Sequence, residues 1–309
     1  MKKFLPLVTS LIISAQAVAG NETFIVSSRP LATYYGHPLA SELARFKQSE
    51  VSSLYISLGF GDGGTSSEQL MYSVALDIQK LKPNTIIVDE VDATSHLLTL
   101  LPPEYKSRTW FINRTGVQGV DRDYVFRVSN LARELVQTIS EMNLFPDAYY
   151  VLYDTTGLTA RDSFNLKKNL QGLANTVKFY EVSTVQQLED LLISFNKNQR
   201  GVIVNNMTAL TDNEFGTVVK MQEIKDIISR RNTRHLTVGF NFMPGQNNEC
   251  LIFELDYSPV VQEFFLRGKE PVDMDPLPFK LLVNKRKMRL LGYKNHYIAA
   301  FEQIDVIVE

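Results

Sequence analysis

The chain has 309 residues, of which 44% are hydrophobic and 21% charged, with a formal net charge of -2. That length exceeds one small core and predicts two domains, and the composition excludes a disordered or fibrous chain. The near-neutral balance, with no dominant basic stripe, argues against a nucleic-acid partner; Lys285-Arg286-Lys287, the densest basic run, reads as a solvated helix face.

The first residues have the pattern of an export signal. Lys2-Lys3 form a positive region, Phe4–Ala15 an apolar one, and Ala17-Val18-Ala19 has the A-x-A spacing of a signal-peptidase site. The apolar run is shorter than the roughly 18–20 residues that span a bilayer, so cleavage after Ala19 is expected rather than anchoring. The expectation is a soluble protein of a bacterial periplasm. Cys250 is the only cysteine. It excludes an internal disulfide and a cysteine-based metal cluster, and it reads as a small strand residue.

Eight runs rich in β-branched and aromatic residues follow, each ending in a polar turn. Thr23–Val26 precedes a helix from about Pro38 to Gln48, and Ser53–Leu58 precedes one from about Ser66 to Leu81. Thr85–Val88 precedes a short helix over about Ala93–Leu101, and Thr109–Ile112 ends in Asn113-Arg114-Thr115-Gly116. After a long helix over about Val128–Met142 the rhythm restarts. Ala148–Tyr153 precedes a helix over Ala160–Leu173, and Val177–Val182 one over Val185–Asn196. Gly201–Val204 precedes a helix over Glu214–Arg230, and Leu236–Phe240 closes the series. Strands alternating with helices at this spacing predict parallel sheets built from right-handed crossovers.

Two sets of four units predict an α/β protein of two doubly wound, Rossmann-like lobes. The remaining elements are a strand Cys250–Leu255, a helix Ser258–Leu266, a strand Phe279–Val283 and a helix Lys285–Leu291. They fit a chain that crosses between lobes several times. The expected division is 1–19 signal, 20–127 plus 243–270 first lobe, and 128–242 plus 271–309 second lobe. Residues Asn295–Glu309 read as an extra edge strand of no assigned role.

The run Arg267-Gly-Lys-Glu-Pro, then Pro278-Phe-Lys-Leu-Leu-Val-Asn-Lys-Arg-Lys-Met-Arg-Leu-Leu-Gly-Tyr293, resembles the C-terminal signature of the exported substrate-binding proteins of ABC transporters related to the tryptophan/tyrosine binders. The strand ending in Asp256-Tyr257 is similar to that family's "V-D-Y", and Tyr149–Thr155 to its "V-G-V-L-Y-N-P". The resemblance implies a type I periplasmic-binding-protein fold, with a ligand cleft between the lobes that closes on a small amino-acid-like ligand, and delivery to an inner-membrane permease. Thr33–His37 and Asp154-Thr155 depart from the family pattern, as does the polar Gln246–Glu249.

Ligands of open parallel sheets sit outside the carboxyl ends of the strands, beside helix N-termini. Arg114, flanked by Asn113 and Thr115, offers a bidentate fork for a carboxylate, or else a structural ion pair. Asp154 and Asp256 would meet a ligand ammonium or serve as helix caps or turn residues. Tyr34, Tyr35 and His37 would stack on a planar ligand or pack an edge loop. Asp92, Thr94, Thr155, Asn206 and Thr208 would add polar contacts, and Glu90 reads equally as a rim residue.

The Gly59–Gly64 run reads as a turn, since Asp62 opposes a phosphate. Enzyme signatures are missing: there is no G-x-S-x-G, no H-E-x-x-H and no paired spacing among His37, His96, His235 and His296. A non-catalytic binding protein is expected, without cofactor or metal. Its partners would be a small-molecule ligand and either an ABC permease or a membrane sensor protein on which it docks as a signalling subunit.

Overall fold

The computed structural model describes the chain except residues 1–21, 28–37, 46–49, 56–66, 90–93, 114–121, 145, 155–165, 175, 199, 208, 213–215, 241–248 and 294–309. The expected signal, the Gly59–Gly64 run and the Asn295–Glu309 tail therefore lie outside the described residues.

The first lobe is a five-stranded parallel sheet in the order β2-β1-β3-β4-β5. Its strands are β1 (Glu22–Ser27), β2 (Glu50–Tyr55), β3 (Thr85–Asp89), β4 (Thr109–Asn113) and β5 (Val125–Arg127). The helices are α1 (Pro38–Arg45), α2 (Ser67–Leu81), α3 (Thr94–Leu100) and the single turn α4 (Pro103–Lys106). Alternate residues of the central strands feed two cores, as a sheet covered on both faces requires. Phe24, Val26, Ile86 and Val88 pack against Met71, Val74 and Ile78 of α2. Ile25, Ile87 and Ile112 point to the other face, against Leu39 and Leu43 of α1. Each such side chain contributes roughly 1.5–3 kcal/mol by leaving water.

The second lobe is a six-stranded sheet in the order β13-β12-β11-β8-β6-β7, parallel except for β13. It comprises β6 (Tyr149–Tyr153), β7 (Val177–Glu181), β8 (Val202–Asn206), β11 (Leu236–Phe240), β12 (Leu251–Leu255) and β13 (Phe279–Val283). Its helices are α5 (Leu131–Glu141), a helical stretch at 166–170, α6 (Val185–Asn196), α7 (Met221–Arg231) and α8 (Lys285–Leu290). Side chains cap three of them. Asn130 Oδ1 accepts the Arg133 N–H, Thr184 Oγ1 the Gln187 N–H and Asn284 Oδ1 the Lys287 N–H. Tyr149, Val151, Val204 and Val238 pack against α5 on one face, while Tyr150, Leu152 and Ile203 pack against α6 and α7 on the other.

Two short elements differ from expectation. Ala209–Thr211 (β9) and Val218–Lys220 (β10) form an antiparallel hairpin where a helix from Glu214 is expected, so α7 begins only at Met221. The turn is set by Gly216 at φ +64°, whose N–H donates to the Asp212 carbonyl at 3.0 Å. The long helix expected from Val128 starts at Leu131, because Val125–Arg127 joins the first sheet and Val128 bridges to Leu277.

Three buried polar arrangements belong to the second lobe. Lys225 and Glu249, 2% and 3% exposed, form an ion pair at 3.1 Å between α7 and the sheet. Gly239 makes room for it, since a Cβ there would fall 2.8 Å from the Glu249 carboxyl. His235 Nδ1 accepts the Gly201 N–H at 3.0 Å and Nε2 lies 2.9 Å from the Phe195 carbonyl, which fixes a neutral ring protonated on Nε2. Burial depresses its pKa, with the Arg234 charge acting in the same direction. Cys250 is wholly buried and its N–H donates to Thr237; burial pushes the thiol pKa up.

Candidate functional site: the facing strand ends

Among the described residues the chain crosses between the lobes three times, each time at the edge of the sheets where the parallel strands end. Residues 127–130 lead from β5 to α5, Asp256 leads from β12 into the first lobe, and Pro278 leads back into β13. The crossings are hydrogen-bonded side by side. The Leu277 N–H donates to the Arg127 carbonyl (2.8 Å), the Ser129 N–H to the Leu277 carbonyl (2.9 Å) and the Asp256 N–H to the Pro278 carbonyl (2.9 Å). Because every crossing lies at the edge where the parallel strands end (antiparallel β13 begins there, with Phe279 opposite Leu255), the carboxyl edges of the two sheets face each other.

Of the stretch 243–270, placed by the sequence in the first lobe, β12 hydrogen-bonds into the second sheet and the following π-helix (Val260–Leu266) packs on the first. Met274 and Leu277, within 271–309, also join the first lobe's core. Phe264 anchors the π-helix by edge-on contacts with Trp110 (4.9 Å) and Phe126 (5.3 Å). It ends at Gly268, where φ is +66°.

On the first lobe's edge the central strand ends in Asp89, fully buried and in register with buried Ser27. Its Oδ2 accepts a 2.6 Å hydrogen bond from the hydroxyl of Tyr257, which lies just past the second crossing. Asn113 ends β4 and Thr94 opens α3 on the same edge.

On the second lobe's edge Asp154, 1% exposed, directly follows β6, and its Oδ2 accepts the Ala209 N–H at 3.1 Å. Asn205 and Asn206 end the neighbouring β8, in register with Leu152 and Tyr153. Asn205 Oδ1 accepts the Met207 N–H at 3.2 Å. Tyr153 is half-buried, and burial followed by the adjacent Glu181 raises its pKa. The edge thus offers two amides, a phenol and a carboxylate.

Asp256 lies in the crossing itself. Its Oδ1 accepts from Ser258 N (2.9 Å) and Oγ (2.6 Å) and sits 3.0 Å from Lys280 Nζ. Burial alone would raise the Asp256 pKa, but the Ser258 hydrogen bonds and Lys280 outweigh it and hold the carboxyl below its usual value. Of the residues singled out from sequence, Asp154 and Asn206 fall together on one edge, Asn113 and Thr94 on the other, and Asp256 at the junction. Tyr34, His37, Asp92, Arg114 and Thr155, with Tyr35, Glu90 and Thr208, lie outside the described residues.

Asp89 was not singled out, although it ends a buried apolar strand just as Asp154 does, and that shared pattern is the signal that would have found it. Its partner Tyr257 is 168 residues away, so no local pattern links the two. Among the described residues, no group of three or more His, Cys, Asp or Glu side chains could hold a metal ion. No helix among them is long and apolar enough to cross a membrane.

No family model and no curated protein matches the sequence. Solved structures do match. A ligand-free, open substrate-binding protein with adhesive properties from Clostridium difficile superposes with a TM-score of 0.54 at 12% identity, covering 94% of this chain and 100% of that one. An ABC domain in complex with L-Trp from Streptococcus pneumonia gives 0.54 at 12% identity, over 91% and 98%. A LacI family transcriptional regulator from Arthrobacter in complex with lactose gives 0.51 at 13%, over 85% and 98%. The chain is an α/β protein with two Rossmann-like lobes in the type I periplasmic-binding-protein arrangement, the fold common to these substrate-binding proteins and regulators.

Proposed function

We propose that this chain is a non-catalytic periplasmic solute-binding protein that closes on a small polar, amino-acid-like or aromatic ligand and delivers it to an inner-membrane ABC permease. The observation that carries the reading is the pair of facing strand-end edges, with Asp89 on one and Asp154 on the other, joined by three adjacent crossings. A ligand ammonium sharing that space would be compensated by carboxylates already fixed in place, as burial of a charge demands. The crossings are single extended segments, so they bend as a hinge. Ligand contacts to both edges then favour the closed state, and only that difference in affinity shifts the population. The signal-like N-terminus supports the location, and the 267–293 resemblance to tryptophan/tyrosine binders supports the ligand class.

The test is calorimetry and thermal shift with the purified chain against amino acids, tryptophan and tyrosine first, then oligopeptides, purines and sugars. A binder present at about 100 times its Kd should stabilise the fold by roughly 2.7 kcal/mol. X-ray scattering should show compaction with the same compound. Silence across the panel would remove the reading.

A further inference from the structure

We propose that the three crossings form a proline-stiffened strut fixed to the first lobe, and that Lys280 latches the second lobe to this strut across the line where the lobes bend. The inference rests on the hinge of the proposed binding function and not on the identity of its ligand.

The third crossing lies between the other two, since Leu277 bonds to the first and Pro278 to the second. Its sequence is Asp275-Pro276-Leu277-Pro278. A proline fixes its own φ at about -65°, and its ring keeps the preceding residue out of the helical region. Each of these residues is therefore a proline or precedes one, and the segment is held extended by its covalent structure. The strut is also clamped to the first lobe. Met274 and Leu277 are buried in that lobe's core, and the Arg127 guanidinium donates to the Met274 carbonyl. Val128 of the first crossing bridges to Leu277, and Tyr257 ties the second crossing to Asp89.

Each crossing thus belongs to the first lobe up to one link. Past Ser129, Asn130 caps α5 of the second lobe. Leu255 and Phe279 pair with each other in the second lobe's ladder. The bending line therefore passes through Ser129–Asn130, Leu255–Asp256 and Pro278–Phe279. Leu255 and Phe279 touch the first lobe's core across this line, but apolar contacts are non-directional and let the surfaces slide.

Lys280 spans the line with a directed contact. It stands on β13 in the second lobe, and its Nζ lies 3.0 Å from Asp256 Oδ1 and 3.4 Å from Ser258 Oγ on the strut. Glu254, opposite Lys280 in the ladder, stands on the second lobe's own side. The Ser258 N–H and hydroxyl hold Asp256 Oδ1 in place, so the anion does not follow Lys280 when the lobes turn. The contact is made at one interlobe angle and lost at others. Lys280 is 39% exposed, which opens the contact to screening and makes the angle sensitive to ionic strength.

The test is single-molecule energy transfer on the ligand-free protein, with dyes on Gln79→Cys of α2 and Ser194→Cys of α6, both exposed positions. Pro276→Ala together with Pro278→Ala, also exposed, should widen the distribution of interlobe distances. Lys280→Met should keep the width and shift the balance of distances by roughly twofold to fivefold, as loss of one exposed ion pair does. Salt at about 0.5 M should shift the labelled parent in the same direction and leave Lys280→Met where it is. An unchanged width in a folded proline variant would overturn the proposal. So would a Lys280→Met protein that responds to salt as the parent does, an outcome that holds whether or not the proline variant folds. If the expected shifts appear while the ligand panel stays silent, the solute-binding reading falls and the latched hinge stands.

Discussion

Asp89 and Asp154 occupy matching places in the two lobes, each buried at the end of an interior strand, yet different parts of the chain hold them. Asp154 is tied to Ala209 of its own lobe. Asp89 is tied to Tyr257, which the chain delivers from the second crossing. The second lobe's edge thus draws this contact from its own lobe, whereas the first lobe's edge draws its contact from a crossing segment. The contrast extends to the cores. The first lobe completes one apolar face with Leu255, Tyr257, Val260 and Leu277 from the returning chain. Among the described residues, the second lobe is the one that buries an ion pair at 2–3% exposure.

The largest test of that contrast is Lys225→Met, which leaves Glu249 charged and uncompensated between α7 and the sheet. Breaking a buried pair from one side costs about 3–5 kcal/mol, so denaturant unfolding should show the second lobe melting first. Next comes Tyr257→Phe. Removing a hydrogen bond to a buried carboxylate should cost about 1.5–3 kcal/mol. If the first edge depends on the crossing, ligand affinity should fall along with stability. Asp154→Asn, which keeps an acceptor for the Ala209 N–H, should leave stability nearly unchanged.

Acid should also find the second lobe first. His235 is neutral when folded, with a depressed pKa, so the unfolded chain takes up its proton at the higher value of about 6.5. Stability is therefore full above that pH. It falls by up to about 1.4 kcal/mol per unit as the pH drops from there toward the folded-state pKa. His235→Gln should flatten this part of a melting-temperature profile. A small effect is expected from Lys280→Ala at the junction. Lys280 is 39% exposed, so its contact with Asp256 is worth under about 1 kcal/mol. Loss of that contact should still be visible as a change in the salt dependence of ligand affinity.

The long elements were legible because their signals are local. The apolar runs of β3, β6, β8 and β11 and the capped α6 lie within a residue or two of where periodicity puts them. The hairpin at 209–220 and β5 were not, since three-residue strands fall below any repeat that a hydrophobic pattern can display. The rule of buried strand ends singles out Asp154 and Asn206, and both fall on one edge of the second sheet. The Asp89–Tyr257 bond could not be read, because its partners meet only after both sheets have formed. Leftover elements after Phe240 implied repeated crossings, but which sheet each would join depends on edge pairing and not on composition.

The sealed environment of Cys250 has a practical consequence. Its thiol is enclosed by the β11–β12 layer and resists ionisation, so alkylating reagents meet little native reactivity. Dyes attached through cysteines introduced on α2 and α6 would report any change in the distance between the lobes without prior removal of a native thiol. The chain's single tryptophan, Trp110 against Phe264, supplies an independent optical signal from the place where the returning segment meets the first sheet.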